Sequence, residues 1–309
     1  MFKLKKNLFL IFFVLCTIQL FSLEKLAIQR ADQSLIDAYL TIPQDVEQFP
    51  LILLVQGSDA ETVINNHKAL ADRFNPYGIA ILSAEKRGIN ADGKDTPQFI
   101  EFDFFEYRLQ DFSTILQALD HGLIKKWNGA LIILGGSEGG KIAPKLALQF
   151  PSHVVGVILI GSGGGLSFGE ELKFQIETSL NNMNLVYKFC FKIRDILIPR
   201  KIDAKYLKIL EQPDSLEMWY EKTFRWWASY LKYDPLPEML QINIPIYMIH
   251  GALDPKIPVE SADAVKAAFD EASKHNITYV CYSDLEHSLK GRDDVYHSMI
   301  EWIKKIFQN

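Results

Sequence analysis

The apolar run Leu131-Ile132-Ile133-Leu134 leads into Gly135-Gly136-Ser137-Glu138-Gly139-Gly140, and a helical stretch from Ile142 to Phe150 follows at once. A serine held between two glycines at such a junction sits in a strained strand-to-helix turn. Side chains two residues before or after it would collide with the neighbouring strand and helix. The chemistry offered is attack by the Ser137 hydroxyl on an acyl carbonyl. A hydroxyl is a weak nucleophile, so this chemistry needs a base, and the base needs a carboxylate to orient it. His287, in Asp284-Leu285-Glu286-His287-Ser288, follows the last apolar run, and Asp254, in Gly251-Ala252-Leu253-Asp254-Pro255, follows the run before it. The rivals are weaker. His297 lies inside the closing helix, facing away from the loop edge, and Asp284 is near His287 in sequence but placed to shape a turn. The plainer readings are a packing turn at Ser137, a loop histidine at 287 and a helix-capping aspartate at 254. The strand, the helix, the chain order Ser137, Asp254, His287 and the intervals together favour catalysis.

The elements that must carry these residues can be read from the pattern. Lys25 to Gln29 and Ser34 to Thr41 alternate around Ala31-Asp32-Gln33, which predicts an antiparallel hairpin. Leu51 to Val55, Ile79 to Leu82, Ala130 to Leu134, Val154 to Ile160, Ile246 to Ile249 and Ile277 to Tyr282 are short runs rich in Val, Ile and Leu. Helical stretches separate them: His67 to Phe74, Phe104 to Leu119, Ile142 to Phe150, Ser261 to Ala272 and a closing Val295 to Phe307. That alternation predicts an α/β fold with a mostly parallel sheet covered by helices on both faces. The 33 positions from Asp254 to His287 hold a loop, a helix and a strand, returning both residues to the same carboxyl edge of the sheet.

A developing oxyanion requires two donors. Gln56-Gly57-Ser58-Asp59, after the Leu51 to Val55 run, could present the Ser58 backbone N–H beside the Glu138 N–H. Residues 161–245 are far too long for an ordinary connection and have a helical pattern of their own. The domain reading is a core of residues 23–165 and 240–309 with a helical cap inserted at 166–239. Met218 to Trp227 reads as apolar around most of a helix. Trp219, Trp226 and Trp227 could line an acyl pocket, although aromatics at helical spacing more often pack a cap onto its base. Gly161-Ser162-Gly163-Gly164-Gly165 is not a dinucleotide fingerprint, since Leu166 stands where its third glycine would be; it reads as a hinge into the cap.

Taken together, the chain resembles the α/β-hydrolase superfamily over nearly all of its length after the first residues. The likeness rests on the Gly-Gly-Ser137-Glu-Gly-Gly elbow with its Ile-Ala-Pro continuation, Glu85-Lys86-Arg87-Gly88, the Gly251-x-x-Asp254-x-x-x-Pro258 loop and the Glu286-His287 end. It is most similar to serine esterases, acyl thioesterases and related peptidases. The resemblance implies an α/β-hydrolase fold and a cap between strands six and seven. Gln56 and Gly136 stand where many relatives have histidine, which leaves the subfamily open. Ser rather than Asp at the elbow sets the chain apart from the dehalogenase and epoxide-hydrolase branches.

Composition narrows the partners. The 309 residues are 48% hydrophobic, which excludes overall disorder, and the net charge of −5 marks no surface for nucleic acid. Lys3, Lys5 and Lys6 before an apolar run from Leu8 to Phe21, with Ser22 beyond, read as a signal peptide over residues 1–22, or an uncleaved anchor. Export to the periplasm or medium is expected, with no stable membrane span after cleavage. Cys190 and Cys281 lie in apolar stretches that suggest buried thiols, and no Cys/His spacing suits a metal. The reading is therefore an exported serine hydrolase of small-molecule acyl substrates that requires no metal or organic cofactor, as a monomer or small homo-oligomer. An aminopeptidase, an acyl thioesterase or a non-catalytic binding protein on the same fold are the alternatives.

Overall fold

Residues 22–89, 97–181, 198–220, 222–231 and 233–308 are described by a computed structural model. The leader falls outside this range up to residue 21, as does Cys190.

Ten strands and ten α-helices follow in chain order: β1 (Leu23–Gln29), β2 (Leu35–Thr41), β3 (Phe49–Val55), α1 (Ile64–Phe74), β4 (Ala80–Ala84), α2 (Pro97–Phe102), α3 (Phe105–Asp120), β5 (Trp127–Gly136), α4 (Gly139–Gln149), β6 (Val154–Ile160), α5 (Phe168–Asn181), α6 (Ile198–Glu211), β7 (Met218–Trp219), β8 (Lys222–Thr223), α7 (Phe224–Leu231), α8 (Leu236–Gln241), β9 (Ile246–Gly251), α9 (Val259–Glu271), β10 (Ile277–Tyr282) and α10 (Asp293–Gln308), among the described residues. Eight strands form one sheet in the order β1-β2-β4-β3-β5-β6-β9-β10. The β1-β2 hairpin is antiparallel, β2 meets β4 antiparallel, and every later pairing is parallel. The expected α/β architecture is thus present.

Strand periodicity divides the core. Leu51, Leu53 and Val55 with Leu131 and Ile133 face α3, α4 and α9, whereas Ile52, Leu54, Ile132 and Ile158 face α1 and α10. Because successive side chains point to opposite faces, a continuous apolar run is what a strand covered on both sides requires. The ends of β3, β5, β9 and β10 all open on one rim.

Two expectations need correction. Met218 to Trp227 is not one helix: β7 and β8 form a two-residue hairpin, and the helix begins only at Phe224. Tyr220 takes a left-handed φ of 44°, and Thr223 Oγ1 accepts the Trp226 N–H at 3.1 Å, so the chain turns before it coils. Cys281 is exposed and free rather than buried, since β10 is the edge of the sheet and its outer strand is only partly covered.

One polar contact under the sheet ties a helix to two strands. His67 of α1 is fully buried, its Nε2 2.7 Å from Thr41 Oγ1 and its Nδ1 2.8 Å from Ser83 Oγ. Burial pushes its pKa down from 6.5 to about 4. The unfolded imidazole takes up a proton near 6.5 and the folded one only near 4, so this contribution is intact above 6.5 and falls by about 3 kcal/mol as the pH drops through that window. Urea unfolding at pH 7 and at about 4.5 should show His67→Gln losing much less stability on acidification than the parent; equal losses would refute the assignment.

Candidate active site

Ser137 directly follows β5 and has a φ of 52°, a left-handed conformation for a non-glycine residue. Its backbone N–H donates to the Ile160 carbonyl at 2.8 Å, and its carbonyl accepts the Gly140 N–H at 3.0 Å, so both neighbours hold the turn. The flanking glycines are needed for space. A Cβ on Gly135 would lie 2.6 Å from the Gly139 carbonyl oxygen, one on Gly139 would fall on the Val55 carbonyl, and one on Gly140 would overlap Ser162. The first turn of α4 therefore runs against β3 with no room for a methyl group.

Asp254 leaves the loop after β9, and His287 the loop after β10. His287 Nε2 lies 3.0 Å from Ser137 Oγ, and His287 Nδ1 lies 2.7 Å from Asp254 Oδ2. A carboxylate can only accept, so Nδ1 carries the proton, and Nε2 of the neutral ring is free to accept from the serine hydroxyl. Asp254 Oδ1 accepts the N–H groups of Lys256 at 2.8 Å and Ile257 at 3.0 Å. Burial raises the Asp254 carboxyl, but the hydrogen bond and charge of His287 and those two N–H groups outweigh it and hold the carboxyl below its ordinary value. His250 is buried behind this pair, with Nε2 3.1 Å from the Ile257 carbonyl and 3.8 Å from Asp254 Oδ2. The rivals lie elsewhere: His297 is exposed on α10, and Asp284 is exposed and pairs with Arg292 at 3.1 Å.

Glu138 follows Ser137 directly in the chain, and Gly57, next to Ser58, approaches the elbow from the loop after β3. A Cβ on Gly57 would lie 3.3 Å from Ser137 Cβ and 3.8 Å from its Oγ, so the loop after β3 rests directly on the elbow. The Glu138 side chain turns inward, where its carboxylate accepts from Arg108 Nη1 and the Tyr230 hydroxyl. Burial raises this carboxyl, but Arg108, Lys222 and Lys86 outweigh it and keep it ionised.

Nothing in the sequence motifs singled out Arg108, Lys222 or Asp103, and Lys86 stood out only within the Glu85-Lys86-Arg87-Gly88 motif. Arg108 carried a signal, being a charge on the same helical stripe as Phe105, Phe112 and Ile115, which is buried. Lys222 sits in an aromatic stretch beside Trp226 and gave none. Trp226 and Trp227 are buried, crossing each other at 89° with centroids 4.8 Å apart and packing on Phe168. Half-buried Trp219 lies on Trp227 and Tyr206, and its carbonyl accepts the Trp227 Nε1–H at 2.7 Å. The three tryptophans thus serve packing between α5, α6, α7 and the β7-β8 hairpin. Among the described residues no group of three or more His, Cys, Asp or Glu side chains is placed to hold a metal ion, and no helix is long and apolar enough to cross a membrane.

No protein-family model and no curated protein sequence matches the chain. Solved structures resemble it in shape. Est1E from Butyrivibrio proteoclasticus, with ferulic acid bound, superposes with a TM-score of 0.66 at 15% identity, covering 92% of this chain and 100% of Est1E. The Pyrococcus furiosus esterase Pf2001 gives 0.61 at 12% identity, covering 92% and 91%. The Pyrococcus horikoshii acylaminoacyl peptidase gives 0.63 at 14% identity; 93% of this chain is covered but only 42% of the peptidase. The chain has the α/β-hydrolase fold.

The crowding at the elbow predicts a contrast between neighbouring glycines. Gly139→Ala should lower unfolding free energy by at least about 3 kcal/mol or prevent folding. Gly136→Ala, whose Cβ would meet nothing within 4 Å, should stay within about 0.5 kcal/mol of the parent. Chemical denaturation of the two variants measures the difference, and equal losses would show that backbone approach is not what excludes a side chain at position 139.

Proposed function

We propose that the protein is an exported serine hydrolase that cleaves a carboxylic ester or related acyl bond through an acyl-enzyme. The single observation that carries the reading is the unbroken relay from Ser137 Oγ through His287 to Asp254, at 3.0 and 2.7 Å, on the rim of an α/β-hydrolase sheet. The lysine-flanked apolar run at residues 3–21 supports export.

In this reaction Ser137 Oγ bonds to the acyl carbon while His287 Nε2 takes the hydroxyl proton. Asp254, already ionised and held by two backbone N–H groups, stabilises the imidazolium and fixes its orientation. The carbonyl oxygen becomes an oxyanion facing the N–H groups of Ser58 and Glu138, each worth on the order of 10²–10³ in turnover. Collapse of the tetrahedral species breaks the bond to the leaving alcohol, which departs with the proton from His287. Water, deprotonated by His287, then attacks the acyl carbon; the bond to Ser137 Oγ breaks, His287 returns the proton to that oxygen, and the acid leaves. Residues 166–239 serve as a cap whose aromatics Tyr230 and Tyr233 pack on Phe105 of the core. Esters are the first substrate class to examine because esterases and an acyl peptidase share the fold. Short and long acyl esters, acyl thioesters and aminoacyl amides should be compared for turnover.

Hydrolysis of p-nitrophenyl butyrate and labelling by a fluorophosphonate test the proposal. Ser137→Ala should abolish both, and Asp254→Asn should lower kcat by on the order of 10⁴ with the label still accepted slowly. Undiminished turnover in Ser137→Ala would place the chemistry elsewhere.

A further inference from the structure

Three cations grip the loop that follows β3. Arg108 Nη2 donates to the Gln56 carbonyl at 2.6 Å and its Nη1 to the Gly57 carbonyl at 3.4 Å. Lys222 Nζ donates to the Ser58 carbonyl at 2.6 Å, and Lys86 Nζ to the Asp59 carbonyl. Four successive carbonyls are thus drawn to side chains that are buried or nearly so. Every described peptide bond is trans, and in a trans peptide the C=O and the following N–H point in opposite directions. Fixing the Gly57 carbonyl therefore fixes the Ser58 N–H, and fixing the Ser58 carbonyl fixes the next peptide plane. Arg108 also binds the Glu138 carboxylate, so the same guanidinium ties the Gly57–Ser58 peptide to the residue that follows Ser137.

We propose that Arg108 and Lys222 are positioning residues that preset the oxyanion donors, and that Lys222 makes this setting depend on the packing of β8 and α7 against the core. This deepens the serine-hydrolase reading and rests on it. Both would act through the loop carbonyls they bind rather than on the acyl group itself. Lys222, on β8, stands 164 residues from Ser58 in sequence and reaches its carbonyl in the loop after β3, with Asp103 Oδ2 at 2.6 Å as its counter-ion. Its ammonium lies 5.2 Å from the ring centroids of both Phe99 and Trp226, which hold the side chain in one direction. Buried ion pairs often contribute little net stability compared with apolar packing of similar size. Their cost is explicable here if they serve to orient the loop. With the Lys222 ammonium in place the peptides on both sides of Ser58 are held; without it the Ser58 carbonyl loses its donor and the following peptide plane is free to rotate.

The test uses the full chain and its Lys222→Met, Lys222→Gln and Lys222→Arg variants. Each is normalised to the concentration of sites titrated with a fluorophosphonate and assayed with p-nitrophenyl butyrate. A trifluoromethyl ketone, whose adduct carries the oxyanion, supplies a second readout. Misplacing donors by an ångström costs up to about 10²-fold. Lys222→Met should lower kcat by about 10- to 100-fold with KM within about twofold, and the ketone's inhibition constant should rise by a similar factor. Lys222→Arg should recover most of the loss. Lys222→Gln, which keeps a donor without the charge, should fall between and carries the test if Lys222→Met does not fold. Parent-like kcat in both neutral variants, or a loss of kcat with unchanged ketone affinity, overturns the clamp while the hydrolase reading stands. A parent protein inert to esters and to the fluorophosphonate overturns both.

Discussion

Backbone meets backbone where α4 leaves β5, and the absence of side chains at Gly135, Gly139 and Gly140 is the constraint on which the rim of the sheet depends. Only with that approach can the chain reverse within a few residues, put Ser137 at a positive φ and aim its hydroxyl out of the sheet. Parallel strands supply the rest. Because β3, β5, β9 and β10 run in the same direction, their following loops gather at one edge, and residues 33 and 150 positions apart meet at hydrogen-bond distance.

Charge is distributed unevenly around that rim. On one side Asp254 is buried and ionised because two backbone N–H groups and one imidazole proton satisfy it. On the other side Glu138 is buried and ionised because Arg108 and Tyr230 donate to its Oε1 and the charges of Arg108, Lys222 and Lys86 outweigh burial. Both carboxylates are held below their ordinary pKa, but by different neighbours, and the neighbours decide what each can do. Asp254 orients a titratable ring that reaches the hydroxyl, whereas Glu138 anchors a permanently charged guanidinium that reaches a loop of carbonyls. A second ionic tie holds the segment after β6 on the core. Lys141, one turn past Ser137, pairs with Glu171 of α5 at 2.7 Å, and Glu171 also accepts from Ser261 Oγ on α9. The segment after β6 is therefore fastened to the core by buried polar contacts and by Tyr230 and Tyr233 on Phe105, while Trp226, Trp227 and Phe168 pack its own helices together.

Local chemistry made part of this legible from the amino acids alone. Runs of Val, Ile and Leu between helical stretches give a covered parallel sheet whatever the details, because both periodicities are written in the chain. The glycines around Ser137 carry their meaning in their own lack of a side chain, and the order Ser137, Asp254, His287 follows from which runs precede them. Readings failed where a local pattern had two solutions. Met218 to Trp227 has the apolarity of a helix, but a left-handed Tyr220 and a capping Thr223 made a hairpin of its first half. Cys281 lies in an apolar run, yet its strand is the last in the sheet, and position in the sheet order is not a property of the run.

Sequence by itself determined the layer architecture, the elbow and the set of residues able to serve it, since these depend on side-chain size, periodicity and neighbours close in the chain. Tertiary structure alone decided which charges meet. Arg108 on α3, Lys222 after the β7-β8 turn and the carbonyls of residues 56–59 are brought together by packing. Carbonyls have no residue identity to read, and a buried cation finds its partner only once the surrounding helices have closed over it.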